Sequence, residues 1–123
     1  GVDGPRLIDL SNGAAHPLPS DGLLAIGRRL DCDIAVPDLA VSSRHCVLSC
    51  CGGRALLEDL SCNGTFVNGA RVPKGISLPQ HIELQDGDTV SLAKRQGGPS
   101  FLFVGAPVLP DEEELGNAAA GGA

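Results

Sequence analysis

The sequence predicts an all-β fold, a β-sandwich of about ten short strands in two sheets, and three observations carry that prediction. Turn-forming residues recur along the whole chain, with Gly 17 and Pro 9 in 123 residues. Between them lie short apolar runs rich in Leu, Ile and Val, at a spacing of roughly ten residues. No stretch longer than a turn or two carries the 3.6-residue period of an amphipathic helix. Many short strands separated by turn signals pack as sheet on sheet.

In chain order, Arg6 to Leu10 is the first predicted strand, and Ser11 to Gly22 reads as a loop with Asn12-Gly13 as its turn. Leu23 to Ile26 is the second strand, running into Gly27, whose backbone freedom allows a sharp exit. Ile34 to Val36 is brief and is stopped by Pro37. Cys46 to Cys50 and Ala55 to Leu60 form a hairpin across Gly52-Gly53. Thr65 to Asn68 and Ala70 to Val72 form another across Asn68-Gly69. His81 to Leu84, Asp88 to Ala93 and Phe101 to Val104 complete the set, with Asp86-Gly87 as a turn. Beyond 106 the chain is Pro, acidic residues, Ala and Gly, which bury too little apolar surface to offset ordering entropy. Residues 107–123 are therefore expected to be a disordered tail, and 1–106 a single domain.

The formal charge of -6 argues against general binding to nucleic acid or membrane surfaces. Four of the fifteen carboxylates sit together at 111–114, so the remainder sets eleven against nine cations, a body near neutrality. No run of about 18 apolar residues exists to form a transmembrane helix, and the N-terminus lacks a signal-peptide pattern. With Met 0, the chain reads as an excised domain or a processed product.

Cys32, Cys46, Cys50, Cys51 and Cys62 are odd in number and irregular in spacing, unlike a disulfide framework. Cys46 to Cys51 lies on a predicted strand, where alternate side chains face opposite ways, which disfavours zinc at His45 and its neighbours. The five are expected to be free, mostly buried thiols, implying a reducing compartment, nuclear or cytoplasmic.

The densest information lies in Asp59-Leu-Ser-Cys-Asn-Gly-Thr-Phe-Val-Asn-Gly69. Two Asn-Gly pairs and a Ser/Thr cluster there make tight loops at strand ends, exposing neutral amides, hydroxyls and backbone N–H donors. Such groups bind an oxyanion without titrating. Gly27-Arg28 and Ser42-Ser43-Arg44-His45 lie upstream, adding a guanidinium and further hydroxyls. The combination points to a phosphate-reading site on an all-β frame.

These residues resemble the signature of the forkhead-associated (FHA) domain: Gly27-Arg28, Val41-Ser42-x-x-His45, Ser61-x-Asn63-Gly64-Thr65-x-Val67-Asn68-Gly69, and Leu84-x-x-Gly87-Asp88-x-Val90. The match runs from about Leu23 to Val104. The resemblance implies a sandwich of 10–11 strands with binding loops at one end. It implies a phosphothreonine-peptide binding module with no catalytic residues, no cofactor and no metal. Arg28 is then the charged phosphate contact, and Ser42 supplies a hydroxyl and a backbone donor. Ser43 and Cys62 occupy places where relatives add phosphate donors. Asn63 bonds the peptide backbone and Asn68 shapes the same face, while Gly27, His45, Gly64, Thr65 and Gly69 support the loops.

Leu30, Ser43 and Cys62 stand where some relatives carry stronger donors, so the pocket should hold fewer positive charges. Ala40 replaces a basic residue that in some relatives reads an acidic side chain three residues after the phosphothreonine. No strong acidic preference at that place is therefore expected, and a phosphopeptide library enriched in Asp there would contradict it. The expected partner is a phosphothreonine-containing protein or peptide, not nucleic acid or membrane, met by a monomeric domain. Thr65 and Thr89 are the only threonines and both read as structural, so the ligand should come from elsewhere. The parent is expected among kinase-associated, ubiquitin-ligase or DNA-damage checkpoint proteins. The alternative is a degenerate FHA scaffold that pairs with partners without phosphate.

Overall fold

A computed structural model describes residues 4–74 and 80–105 of the chain. Within them lie eleven strands: β1 (Arg6–Asp9), β2 (Ala15–Pro17), β3 (Asp21–Gly27), β4 (Ile34–Ala35), β5 (Cys46–Cys51), β6 (Arg54–Asp59), β7 (Thr65–Val67), β8 (Ala70–Arg71), β9 (His81–Glu83), β10 (Thr89–Leu92) and β11 (Ser100–Val104). One sheet has the order β2-β1-β11-β10-β7-β8 and the other β4-β3-β5-β6-β9. The architecture is the all-β sandwich of 10–11 strands that the residues imply. The expected tail, 107–123, lies outside the described residues.

Alternation explains how the two sheets find each other. Cys46, Leu48 and Cys50 of β5 are buried, and so are Ala55, Leu57 and Asp59 of β6. Register places these sets opposite one another as Cys46↔Asp59, Leu48↔Leu57 and Cys50↔Ala55. Period-2 geometry thus sends one face of each strand inward. The inner faces of both sheets merge into one cluster, with Leu24, Ile26, Leu48 and Leu57 from one and Leu7, Val90, Leu92, Phe101 and Phe103 from the other. Each such side chain, fully buried, contributes about 1.5–3 kcal/mol.

Turn chemistry fixes the hairpins. Gly52 (φ 59) and Gly53 (φ 84) both take positive φ between the paired residues Cys51 and Arg54. Asn68 (φ 52) and Gly69 (φ 84) do the same between Val67 and Ala70. Two successive positive-φ residues match the right-handed twist of the flanking strands.

The reading of Ser11 to Gly22 as loop needs correction. Asn12-Gly13 does turn there, but β2 follows it and pairs with β1 through Leu7↔His16, and β3 already begins at Asp21. Ala15-His16-Pro17 shows no apolar alternation, because β2 is an exposed edge strand. Its terminal Pro17 sits where a missing ladder N–H is tolerated.

Candidate functional site

Three loops converge at one end of the sandwich: β3–β4, β4–β5 and β6–β7. Backbone proximity begins at Gly27, the last residue of β3. A Cβ built there would stand 2.2 Å from the Ser43 carbonyl oxygen and 2.9 Å from the Arg44 Cα. Glycine is thus required for close approach of the two backbone segments, not for the freedom of exit expected from sequence. The approach lets the Arg28 N–H donate to the Ser42 carbonyl at 2.9 Å.

Arg28 is exposed, and no carboxylate among the described residues lies within ion-pair distance of it. Its neighbour differs: Arg29 donates from Nε and Nη2 to the two carboxylate oxygens of Asp31, at 3.0 and 2.9 Å. One arginine of the pair is ion-paired within the loop and the other has no carboxylate partner among the described residues.

His45 ties the β4–β5 and β6–β7 loops together. It is fully buried. The Ser42 N–H donates to its Nδ1 at 3.1 Å, and its Nε2 lies 2.7 Å from the Gly64 carbonyl. An acceptor at Nδ1 and a donor at Nε2 define the neutral Nε2–H tautomer. Burial pushes the imidazole below its usual range, against the opposing pull of the Gly64 carbonyl and the Asp59 charge. Because the Ser42 N–H is committed to His45, Ser42 does not offer the backbone donor expected of it. Its hydroxyl oxygen accepts the Cys62 N–H at 3.1 Å and keeps its own proton to donate. Ser43 is exposed, and its N–H and hydroxyl donate to nothing among the described residues.

The β6–β7 loop is built on a buried carboxylate. Asp59 Oδ1 accepts the Ser61 N–H at 3.0 Å, the Ser61 hydroxyl at 2.6 Å and the Thr65 hydroxyl at 2.8 Å. The Ser61 oxygen in turn accepts the Gly64 N–H at 2.7 Å. Asp59 Oδ2 is buried with no hydrogen-bond partner among the described residues. This carboxylate is what shapes the loop, and sequence reading missed it. The available signal was parity: Asp59 falls on the same inward face as Ala55 and Leu57.

The loop so shaped exposes Cys62 and Asn63. The Cys62 thiol is free and exposed. Asn63 donates from Nδ2 to the Ala40 carbonyl at 2.8 Å, which leaves Oδ1 and a second N–H outward. Asn63 does not take positive φ; Gly64 does, at 102. A turn-making role for Asn63 is thereby replaced by one for Gly64.

Asn68 lies apart from these groups, at the far end of β7. Its Nδ2 donates to Asp88 at 2.9 Å and its Oδ1 accepts the Thr89 N–H at 2.9 Å. The side chain is engaged at both ends and braces the start of β10, so its expected place on the ligand face is corrected to a place in the frame. Gly69 completes that turn.

Three cations not singled out from sequence also border the loops. Arg44 flanks Ser43 and, with Arg29, Asp31 and Cys32, lines a cleft of about 140 Å³. The Lys74 Nζ donates to the Ser61 carbonyl. The Arg71 guanidinium lies against Gly64, whose built Cβ would stand 2.9 Å from its Nε. Two larger concavities, each about 520 Å³, carry no arginine, one lined by His16, Leu18, Leu23 and Asp33 and the other by Asp9, Asn12, Asp38 and Gly97, while a third of about 350 Å³ carries Arg54 beside Asp21, far from these loops. Chemistry, rather than volume, makes the loop end the candidate site.

Cys32, Cys46 and Cys50 are buried and Cys51 and Cys62 exposed, all as free thiols. Burial pushes the Cys46 thiol up to about 12, with Asp59 adding to the shift, so it is inert as a nucleophile. Among the described residues no group of three or more His, Cys, Asp or Glu is placed to hold a metal ion. No helix among them is long and apolar enough to cross a membrane.

Comparison with known proteins identifies the family and the fold. The family model of the FHA domain matches residues 24–93. The protein named "Probable serine/threonine-protein kinase fhkA" of Dictyostelium discoideum is 36% identical over 91 residues, covering 65% of this chain and 15% of that one. The human E3 ubiquitin-protein ligase CHFR is 37% identical over 99 residues, covering 76% and 14%. The chain thus spans about one seventh of the length of these curated relatives. A solved structure from a structural and functional analysis of phosphothreonine-dependent FHA domain interactions superposes with a TM-score of 0.70 at 34% identity, covering 85% of this chain and 98% of that one. The crystal structure of the FhaA FHA domain complexed with the intracellular domain of Rv3910 gives a TM-score of 0.68 at 34% identity, covering 81% and 99%.

Proposed function

Because this chain belongs to the forkhead-associated family, we propose that it is a phosphothreonine-peptide binding module whose ligand sits on Arg28, Ser42, Ser43 and Asn63. The single observation that supports this most is that Arg28 is exposed, has no carboxylate partner among the described residues, and is held beside the serine loop by its own backbone N–H. Arg28 supplies a planar fork matched to phosphate oxygens. The Ser42 hydroxyl and the Ser43 hydroxyl and N–H are the neutral donors beside it. Asn63, fixed by its bond to Ala40, offers its free amide groups to the peptide backbone. Cys62 contributes a weak thiol donor at most, its N–H being held by Ser42. Gly27, His45, Gly64, Thr65, Asn68 and Gly69 hold the frame.

The energetics suit a reversible contact. A phosphothreonine carries about -1.5 to -2 charge, and each charge-assisted hydrogen bond contributes roughly 1.5–3 kcal/mol. One arginine with a few neutral donors gives phosphate dependence without locking the complex. Burying the threonine methyl adds about 0.8 kcal/mol, a several-fold preference over phosphoserine. Recruitment of a phosphorylated partner to a longer parent, in a reducing compartment that keeps these thiols free, extends the same proposal.

The test is a titration with a degenerate phosphothreonine peptide library and its unphosphorylated twin, on wild type and Arg28→Ala. Binding that needs both the phosphate and Arg28 is the expected result. Binding indifferent to phosphate would replace this reading with a phosphate-independent interaction scaffold.

A further inference from the structure

We propose that Arg71 is a second ligand-contacting cation, which selects an acidic side chain flanking the phosphothreonine. The proposal rests on the reading of Arg28, Ser42 and Asn63 as the phosphothreonine site.

Arg71 lies on β8 and is exposed. It pairs with Phe66 across the β7–β8 hairpin, one residue beyond Thr65, so the hairpin returns it to the turn that precedes β7. There its guanidinium lies along the backbone of Gly64: a Cβ at that residue would stand 2.9 Å from Nε, 3.1 Å from Cζ and 3.3 Å from Nη2. A side chain at residue 64 would force the planar group to shift from this position. Asn63, the residue proposed to bond the ligand backbone, is the adjacent residue.

Charge bookkeeping around this turn is one-sided. Arg29, on the neighbouring β3–β4 loop, is forked onto Asp31. Arg71 has no carboxylate within ion-pair distance among the described residues. Asp59, the acid within the β6–β7 loop system, is buried and accepts from Ser61 and Thr65. The Lys74 ammonium, held on the Ser61 carbonyl, adds to the positive field. Ala40 contributes only its carbonyl, taken by Asn63. A guanidinium already resting on backbone loses less freedom when it meets a carboxylate than a free one does. An extended peptide advances about 3.3 Å per residue, so an acidic residue a few places from the phosphothreonine comes within reach. A neutral flank leaves Arg71 in water at no cost, which makes the effect a preference rather than a requirement.

The test walks a single Glu along the flanks of a phosphothreonine peptide that otherwise carries Ala, on wild type, Arg71→Gln and Arg28→Ala, each checked by thermal melting. Wild type is expected to bind at least one Glu-bearing peptide about twofold to fivefold more tightly than the Ala-flanked one, a gain typical of exposed ion pairs. Arg71→Gln should abolish that gain while binding the Ala-flanked phosphopeptide as wild type does. If the gain falls at the third residue after the phosphothreonine, Arg71 replaces the missing basic residue at Ala40, against the expectation from sequence. No acidic gain in wild type, a gain that survives Arg71→Gln, or an equal loss for every peptide would overturn the inference while leaving the site reading intact. Phosphopeptide binding unaffected by Arg28→Ala would instead defeat the site reading, and this inference with it.

Discussion

The chain writes Asn-Gly twice, at 63–64 and 68–69, and folds the two pairs differently. At 68–69 both residues take positive φ in a two-residue hairpin, and the Asn68 side chain spends both ends on Asp88 and Thr89. At 63–64 only the glycine does, the asparagine keeps its Oδ1 and one N–H unengaged among the described residues, and a guanidinium lies against the glycine. One pair closes a ladder; the other is pinned by Asp59, Ser61 and His45 into a loop that presents groups to solvent. A turn signal therefore announces a bend, while long-range partners decide whether the bend is frame or site.

The largest effect expected from breaking this contrast is at Gly64. An alanine there must adopt φ near 102 and push against Arg71, so Gly64→Ala should cost about 2–3 kcal/mol in chemical denaturation. A loss below about 0.5 kcal/mol would mean that the loop relaxes freely. Next is Asn68→Ala, expected to cost about 1–2 kcal/mol through a lost brace and because alanine tolerates positive φ less well than asparagine. Phosphopeptide affinity per folded molecule should stay within about twofold of wild type. Asn63→Ala reverses that pattern: about tenfold weaker binding, with stability changed by about 0.5 kcal/mol or less. Equal behaviour of the two asparagine variants in both assays would dissolve the distinction.

The smallest effect is a pH dependence that acts through His45, the tie between the Ser42 and Gly64 loops. His45 is held below its unfolded value of 6.5, chiefly by burial. Below 6.5 the unfolded chain takes up a proton that the folded one resists, so stability is full above 6.5 and declines as pH falls. Protonation would also set the Ser42 N–H against an Nδ1–H. Urea denaturation from pH 7.5 to 5 should show the decline in wild type and a shallower one in His45→Gln; identical slopes would remove His45 as its source.

Much of the frame was legible in the sequence, because glycine-bearing turns and alternating apolar strands report local geometry directly. β2 was not, since Ala15-His16-Pro17 is an edge with no buried face to write an alternation. At the site, the residues that converge, Arg28, Ser42, Ser43, Cys62 and Asn63, could be picked out by type and order. The commitments among them could not. The Ser42 N–H is claimed by one tautomer of a buried His, Asp59 acts from the inner face of β6, and Arg71 lies where a glycine leaves room. Each depends on contacts made across loops, which one-dimensional pattern does not carry.

The most direct test of the division between site and frame is an amide NMR titration of the folded domain with a phosphothreonine peptide selected from the library. Shifts are predicted at the backbone amides of Arg28, Ser43, Cys62 and Gly64 and at the Asn63 side-chain NH₂, with the Asn68 side-chain NH₂ and Gly69 unmoved. Shifts centred on Asn68, Gly69 and Asp88, or confined to an outer sheet face, would contradict the account.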